Sequence, residues 1–442
     1  MPVPHRSRAA VLILVLWAIA ILALLAGGLS FVIGQDRMLG MYERDRVVAH
    51  WLARAGVERA VAGLMLDSLE VDTDTEEWGK DTTLDSAALG NGTFSVVRDD
   101  CDDTSLGQYG ASDESAKLNV NTVTKDQLMK LPHMTAPVAA SIVDWRDNNE
   151  QPEEEGVERG YYALLAHPYT IRNGPPRTVR ELLLVREVTP ELFYGEDTNV
   201  NGRLDDNEND GESNPPRDNG DGRLDRGWYA WLTVYSYEKN RDAKGNKRLN
   251  LKNADAGTLA SQLQIEDWAA QSIVNRRSKQ EFKHRVDLLD VPLDTSVNRG
   301  SRDNDVNARD DEHRDQPVTT GIFERIVDQL TLHDEERLSG RVNLNTAPRE
   351  VLRALLPDEA VEAIVGQRQG GGYFTSIGEL LRISGVTKET FGQVENAIAV
   401  RSSVFRIYSE GRAASGIRET IECVVDRGGQ APRMLYWLES SP

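Results

Sequence analysis

The chain has 442 residues, 71 acidic against 51 basic side chains and a formal net charge of −20. That length accommodates two or three domains with real cores, and that charge opposes binding to nucleic acid or to anionic lipid surfaces. Two cysteines, Cys101 and Cys423, exclude a zinc ribbon of the paired-cysteine kind; they leave open either one disulfide in an oxidising compartment or two unpaired buried thiols.

Residues 1–9, MPVPHRSRA, form a short leader carrying Arg6 and Arg8. The run from Ala10 to Ile33 is uncharged and spans about 36 Å as a helix, enough to cross a bilayer. We read 10–34 as a transmembrane segment, with the basic leader in the cytoplasm and the bulk of the chain on the other side. Cleavage by a signal peptidase is not expected, because the uncharged run is longer than a usual signal-peptide apolar region and Gly27-Gly28, after Leu24-Leu25-Ala26, make a poor cleavage site. Over 35–70 the helical pattern continues without proline, with Val48, Leu52, Val57, Val61 and Leu64 at helical spacing. One long helix is expected, half in the membrane and half against a soluble domain.

Thr93–Arg98 reads as a strand, and matching β material appears only at Val404–Tyr408, Thr420–Val425 and Met434–Leu438. A lone strand is not stable, so 90–112 and 400–442 are expected to form one split sheet. The fold class is then α+β: a pilin-like long N-terminal helix, a small antiparallel sheet, and a large, mostly helical insertion over 113–399.

The insertion repeats itself. Leu118-Asn119-Val120-Asn121, Leu249-Asn250-Leu251-Lys252-Asn253 and Val342-Asn343-Leu344-Asn345 each precede an Ile-Val pair and an arginine, Arg146, Arg277 or Arg368. Units near 117–195, 247–292 and 340–398 are expected. In each, the asparagines cap a helix that begins its apolar face at Leu128, Leu259 or Leu352, and a second helix follows. Helix–hairpin–helix (SAM-like) units of this form can hold a nucleic-acid backbone. The hairpins here lack glycine, and those at Leu263–Asp267 and Leu356–Ala360 are acidic, so a scaffold is favoured and the arginines read as surface or helix-end residues.

Between the first two units lies an acidic segment, 196–228. Asp197, Asn199, Asn201, Asp205 and Glu208 occupy positions 1, 3, 5, 9 and 12 of the twelve-position calcium loop, with Gly202 at the turn and the Arg203 carbonyl at position 7. Leu204 is expected to anchor the loop in a core. Proline and glycine at the flanks argue against the two helices of an EF-hand. A degenerate second copy, Asn219–Asp225, has Arg217 at position 1 and Trp228 at position 12. A third acidic cluster, Asp303 to Asp311, lacks the turn glycine and reads as a linker. No HExxH, GxSxG or phosphate-binding glycine loop is present and the seven histidines are scattered, so an enzyme is not expected.

Val11–Trp17, Trp51–Glu58, Ile142–Arg146 and Arg341–Ala347, with the leader, the extended helix and the split sheet, resemble the K-type minor pseudopilins of type II secretion systems. The resemblance implies a structural subunit of the inner membrane, single-pass, with its bulk in the periplasm. It implies a place at the pseudopilus tip beside other minor pseudopilins and the major pseudopilin, and structural calcium. Prepilin peptidase would cut between Ala9 and Ala10, where Ala9 replaces the usual glycine. Leu14 then stands at the fifth mature position, where most pilins carry glutamate. A subunit with nothing above it has no N-terminal amine to neutralise, and an unpaired carboxylate in the membrane is costly. The contrasting reading is a membrane-anchored helix–hairpin–helix DNA-binding or uptake protein.

Overall fold

Helix α1 (Arg6–Leu66) dominates the computed structural model, which describes residues 6–98, 108–292 and 316–440. Val11 to Arg44 are exposed throughout, and this half includes a window of mean hydropathy 2.8, long and apolar enough to cross a membrane. From Ala49 onward one stripe (Ala49, Leu52, Ala53, Val57, Ala60, Val61, Leu64) is buried, at the spacing that keeps one face of a helix on a core. The helix ends at Leu66, short of the expected residue 70. Arg427 donates to the Leu64 carbonyl at 3.2 Å and pairs with Asp67 at 2.6 Å, satisfying the open end of the helix.

The α+β class holds, with the stripe of α1 lying on an antiparallel sheet. Its strands are β1 (Ala87–Leu89), β2 (Gly92–Arg98), β3 (Gln108–Tyr109), β4 (Ser112–Asp113), β5 (Val404–Ala413), β6 (Arg418–Asp426) and β7 (Arg433–Ser440). The order is β1-β2-β5-β6-β7, with β3 beside β2 and β4 beside β5. The early strand thus pairs with the late ones, Val97 opposite Tyr408. Gly56 and Gly411 permit the close approach of helix and sheet: a Cβ on Gly411 would stand 2.0 Å from the Ala49 carbonyl oxygen. Cys423 is buried on β6 between Ile407 and Trp437, while Cys101 lies outside the described residues.

The insertion consists of three units of one design, 118–233, 249–331 and 342–399. Each opens with a dipeptide that pairs in parallel with the dipeptide closing it: Leu118-Asn119 with Leu232-Thr233, Leu249-Asn250 with Leu330-Thr331, and Val342-Asn343 with Ile398-Ala399. Parallel pairing requires a crossover, and the intervening helices supply it. First comes a helix pair: Lys125–Leu128 with Ala136–Arg146, Ala256–Leu263 with Asp267–Lys279, or Arg349–Leu355 with Asp358–Gln369. A 3₁₀ turn follows, then a short helix whose N-terminus is capped by the hydroxyl of Thr189, Thr319 or Thr387. The three units share one hydrophobic core running from Leu118 to Val400.

Two expectations about these units are corrected. The asparagines do not cap the helices. The side chains of Asn119, Asn250 and Asn343 accept the N–H two residues on, at 2.9, 2.9 and 3.0 Å, which folds a turn before the helix. The caps are Thr124 and Asp255 in the first two units, and Pro348 stands there in the third. The arginines are helix-end residues, each in the last turn of its unit's second helix, but not surface ones. Arg146 donates to the Val120 and Val123 carbonyls, Arg277 to those of Leu251 and Ala254, and Arg368 to that of Ala347. Each half-buried guanidinium ties the second helix of its unit to the asparagine turn.

Insertion and sheet meet at Arg406, a buried residue of β5. Its guanidinium donates to Glu114 at 2.6 Å, and to Tyr229 and to Glu422 of β6; Arg180 adds a second cation on Glu422 at 3.0 Å. Burial alone would raise the Glu114 carboxyl, but the charges of Arg406 and Lys117 hold it below the usual carboxylate range. Its contribution is therefore complete above the unfolded carboxylate pKa, about 4.3, and lost as pH falls through the lower folded value. Arg406→Ala leaves buried Glu114 with only the more distant Lys117 and Glu422 with only Arg180 as the cations paired with them among the described residues, and should lower the unfolding free energy by about 3 kcal/mol. Urea denaturation is the check, and an unchanged midpoint would show the cluster to be dispensable.

Candidate cation-binding loops and family relationship

The acidic segment leaves unit one between its last helix, Pro190–Tyr194, and its closing strand, and returns to its starting point. Gly195 bridges Arg226, and the Gly227 N–H donates to the Tyr194 carbonyl at 3.1 Å. Gly195 has φ +68°, and a Cβ there would stand 2.2 Å from the Asp225 carbonyl oxygen. Only glycine closes this mouth without strain.

Within the first loop the sequence-marked side chains are tied by hydrogen bonds into two local groups, one around Asp197 and one around Asp205 and Glu208; these three acids are not among the trios of described carboxylates whose oxygens lie within 4.8 Å of one another. The Asp197 carboxylate accepts the N–H groups of Asn201 and Gly202, both at 2.9 Å. Asn199 and Asn201 side-chain amides both donate to one oxygen of Asp205, at 2.7 and 2.8 Å. Glu208 accepts the Asp205 N–H at 3.0 Å. Gly202 makes the turn at φ +67°. The Arg203 guanidinium stacks over the Tyr109 ring, 5.2 Å from its centroid, away from its own carbonyl. Glu208 is 1% exposed, and its Oε1 has no hydrogen-bond partner among the described residues. Burial, followed by the charges of Asp205 and Glu196 acting against backbone N–H donors, pushes Glu208 up to about 7. An all-oxygen set with an orphaned buried carboxylate oxygen fits a hard cation. The anchor is not Leu204, which is only half-buried; Val200 packs against the core instead.

The second loop repeats the first in its hydrogen bonds and borrows what its sequence lacks. The Asn219 amide donates to Asp225 at 3.0 Å, as Asn199 does to Asp205. The Gly222 N–H, equivalent to that of Gly202, finds Asn209 at 2.9 Å in place of an acid at position 1. Buried Glu196 accepts the Asp225 N–H at 2.8 Å and the Asn219 N–H at 3.3 Å, the part that position 12 plays in the first loop. Arg217 and Trp228 hold neither place. Sequence spacing had no signal for Asn209 or Glu196, because each comes from outside the second loop's own twelve positions.

Of the remaining marked residues, Leu14 is exposed on the bare half of α1, and Ala9 and Ala10 lie in its first turns. The cluster from Asp303 to Asp311 lies outside the described residues.

Family models described as "Type II secretion system (T2SS), protein K" match residues 105–194 and 342–401, which is most of the first unit's helices and the whole of the third unit. Over those two stretches the chain is similar to the type II secretion protein K family. It is 25% identical over 206 residues to the type II secretion system protein K of Klebsiella pneumoniae, a match covering 43% of this chain and 60% of that relative. The chain thus spans about 60% of the length of the curated relative it matches. A solved chain in the GspK–GspI–GspJ complex from enterotoxigenic Escherichia coli is similar at a TM-score of 0.47 and 13% identity. That likeness covers 92% of this chain and 100% of that one.

Glu196 carries two backbone donors of the second loop, each such bond to a charged acceptor being worth about 1.5–3 kcal/mol. Glu196→Ala should speed proteolytic cleavage within residues 209–225 by at least about tenfold, since tenfold corresponds to about 1.4 kcal/mol. Gel densitometry of limited digests reads this out, and equal rates would deny Glu196 its organising part.

Proposed function

We propose that the chain is a minor pseudopilin of a type II secretion pseudopilus, anchored by α1 with its bulk in the periplasm, and that it occupies the filament tip. The observation that carries this reading is the division of α1: an apolar half wholly exposed up to Arg44, and a second half whose stripe is buried under the sheet. Such a helix has half its length left to pack within a membrane and among neighbouring stems. Leu14 on that bare half offers no carboxylate to the N-terminal amine of a subunit above, as suits a subunit with none above it. The bulky three-unit insertion, joined rigidly to β5 through Arg406, obstructs stacking of another subunit. The partners in this reading are other minor pseudopilins, of the kind named with the similar solved chain, with the major pseudopilin below.

The role is structural rather than enzymatic, and the helix pairs act as a scaffold. Against the DNA-binding reading, Arg146, Arg277 and Arg368 are engaged with backbone carbonyls inside their units, and the net charge is −20. Calcium belongs to this reading as a structural ion. Asp197, Asn199, Asn201, Asp205, Glu208 and the Arg203 carbonyl would hold it in the first loop, where it neutralises carboxylates that burial otherwise disfavours.

Prepilin peptidase is expected to produce a chain beginning at Ala10, and N-terminal sequencing from cells with and without the peptidase checks it; the same start in both would end the processing claim. The tagged full chain should co-purify with short pilin-like subunits from the same cells. Salt-dependent retention of DNA without such subunits would favour the uptake reading instead. Isothermal titration with calcium should show the first-loop heat in the wild-type chain and its loss in Asp197→Ala/Glu208→Ala; equal heats would remove the site.

A further inference from the structure

A second cluster of carboxylates lies in unit one, at the far end of helix Ala136–Arg146, and owes nothing to the calcium-loop pattern. Asp144 sits within that helix, fully buried. One of its oxygens accepts the Glu153 N–H at 2.8 Å; the other, Oδ2, is buried with no hydrogen-bond partner among the described residues. Glu158, 9% exposed, stands just before the short helix Arg159–Ala163, and both of its carboxylate oxygens are buried and unpartnered in the same sense. Asp147 is oriented by the Asn149 backbone and side chain, at 3.0 and 2.7 Å. One oxygen from each of the three lies within 4.8 Å of the others.

The nearby cations are engaged elsewhere, although the Arg146 charge still acts through space on Asp147. Arg146 is turned to the Val120 and Val123 carbonyls, Arg159 pairs with Glu150 at 3.0 Å, and Lys125 donates to the Glu154 carbonyl. The contrast is the other carboxylate trio among the described residues, Asp67, Asp72 and Glu76, where Arg427 pairs with Asp67 and Asp72. The loop between Asp144 and Glu158 also wraps closely. A Cβ on Gly156 would stand 1.9 Å from the unpartnered Asp144 Oδ2, so the backbone approaches as only glycine allows. Three buried oxygens on two carboxylates, none with a well-formed hydrogen bond though the Val157 and Arg159 N–H groups stand near, and a third carboxylate beside them, are costly to bury. The charge and the all-oxygen donor set are those of a hard divalent ion.

We propose that Asp144, Asp147 and Glu158 form a divalent-cation site, of calcium's class, that pins the 147–158 loop to unit one, separate from the two loops of the 196–228 segment. The ion would supply counter-charge rather than take part in any reaction. The competing account is a proton shared between Asp144 and Glu158, whose carboxyl is raised to about 7 by burial and by Asp144, Asp147 and Glu150.

The experiment uses the full chain in detergent, stripped with chelator and titrated calorimetrically with calcium chloride, and in parallel with magnesium chloride. Four proteins are compared: wild type, Asp197→Ala/Glu208→Ala, Glu158→Gln, and the triple variant. Glu158→Gln should bind one ion fewer than its parent in both backgrounds, or bind it at least about tenfold more weakly, a change of about 1.4 kcal/mol. Loss of heat only in Asp197→Ala/Glu208→Ala would support the first loop and overturn this site; the reverse pattern would do the opposite. Asp147→Asn, which retains an oxygen for the Asn149 donors, guards against misfolding of Glu158→Gln and should show the same loss with unchanged circular dichroism. Unaltered stoichiometry in both variants would establish the shared proton and overturn the proposal.

Discussion

The structure depends on a guanidinium held inside it. Arg406 extends from the central strand β5 and meets Glu114, where the chain enters the insertion, Tyr229, where the first unit closes, and Glu422 on the neighbouring strand. A sheet with both faces covered buries its polar residues along with its apolar ones. These are tolerable only when charge and hydrogen bonds are supplied locally. Because the partners come from chain segments almost three hundred residues apart, the cluster forms only in the assembled fold. It converts a long insertion from a tethered domain into part of one body with the sheet and with α1.

The same solution recurs at the other junctions. Glu238 is shared by Arg248, Arg341 and Arg401 at 2.6, 2.8 and 3.2 Å, which joins the second unit to both ends of the third. Asp113, at the edge of the sheet, accepts Asn343, Thr346 and Ser402 at 3.1, 2.6 and 2.5 Å. The three units thus pack their apolar faces into one core and are held to the sheet by buried polar clusters at the entry and exit of each chain segment.

The acidic segment follows the same logic on a smaller scale. Both loops turn their own backbone N–H groups inward to carboxylates and amides, and the second completes its set by taking Asn209 and Glu196 from the first loop's flanks. Pairing two loops in this way makes each dependent on the other, so an ion in one would order the backbone that frames the other. Gly195 and Gly227 close the excursion without disturbing the parallel dipeptide pair that ends unit one.

The long helix, the β segments at the two ends of the chain, the threefold recurrence of the Asn-bearing dipeptides and the first twelve-residue loop are all legible in the residues themselves. Each is a local matter: period, strand alternation or turn chemistry leaves its mark within a few residues. The roles of Arg146, Arg277 and Arg368, the turn made by each asparagine, and the residues that complete the second loop were decided by tertiary structure. So were the partners of Arg406, Glu238 and Asp113, and the convergence of Asp144 with Glu158. In a chain with 71 acidic and 51 basic side chains, almost any arginine has acids nearby in sequence. Sequence proximity therefore does not select the pair that will be buried. Burial does, because it removes water from a few of those groups and leaves the fold to supply each of them with a counter-charge.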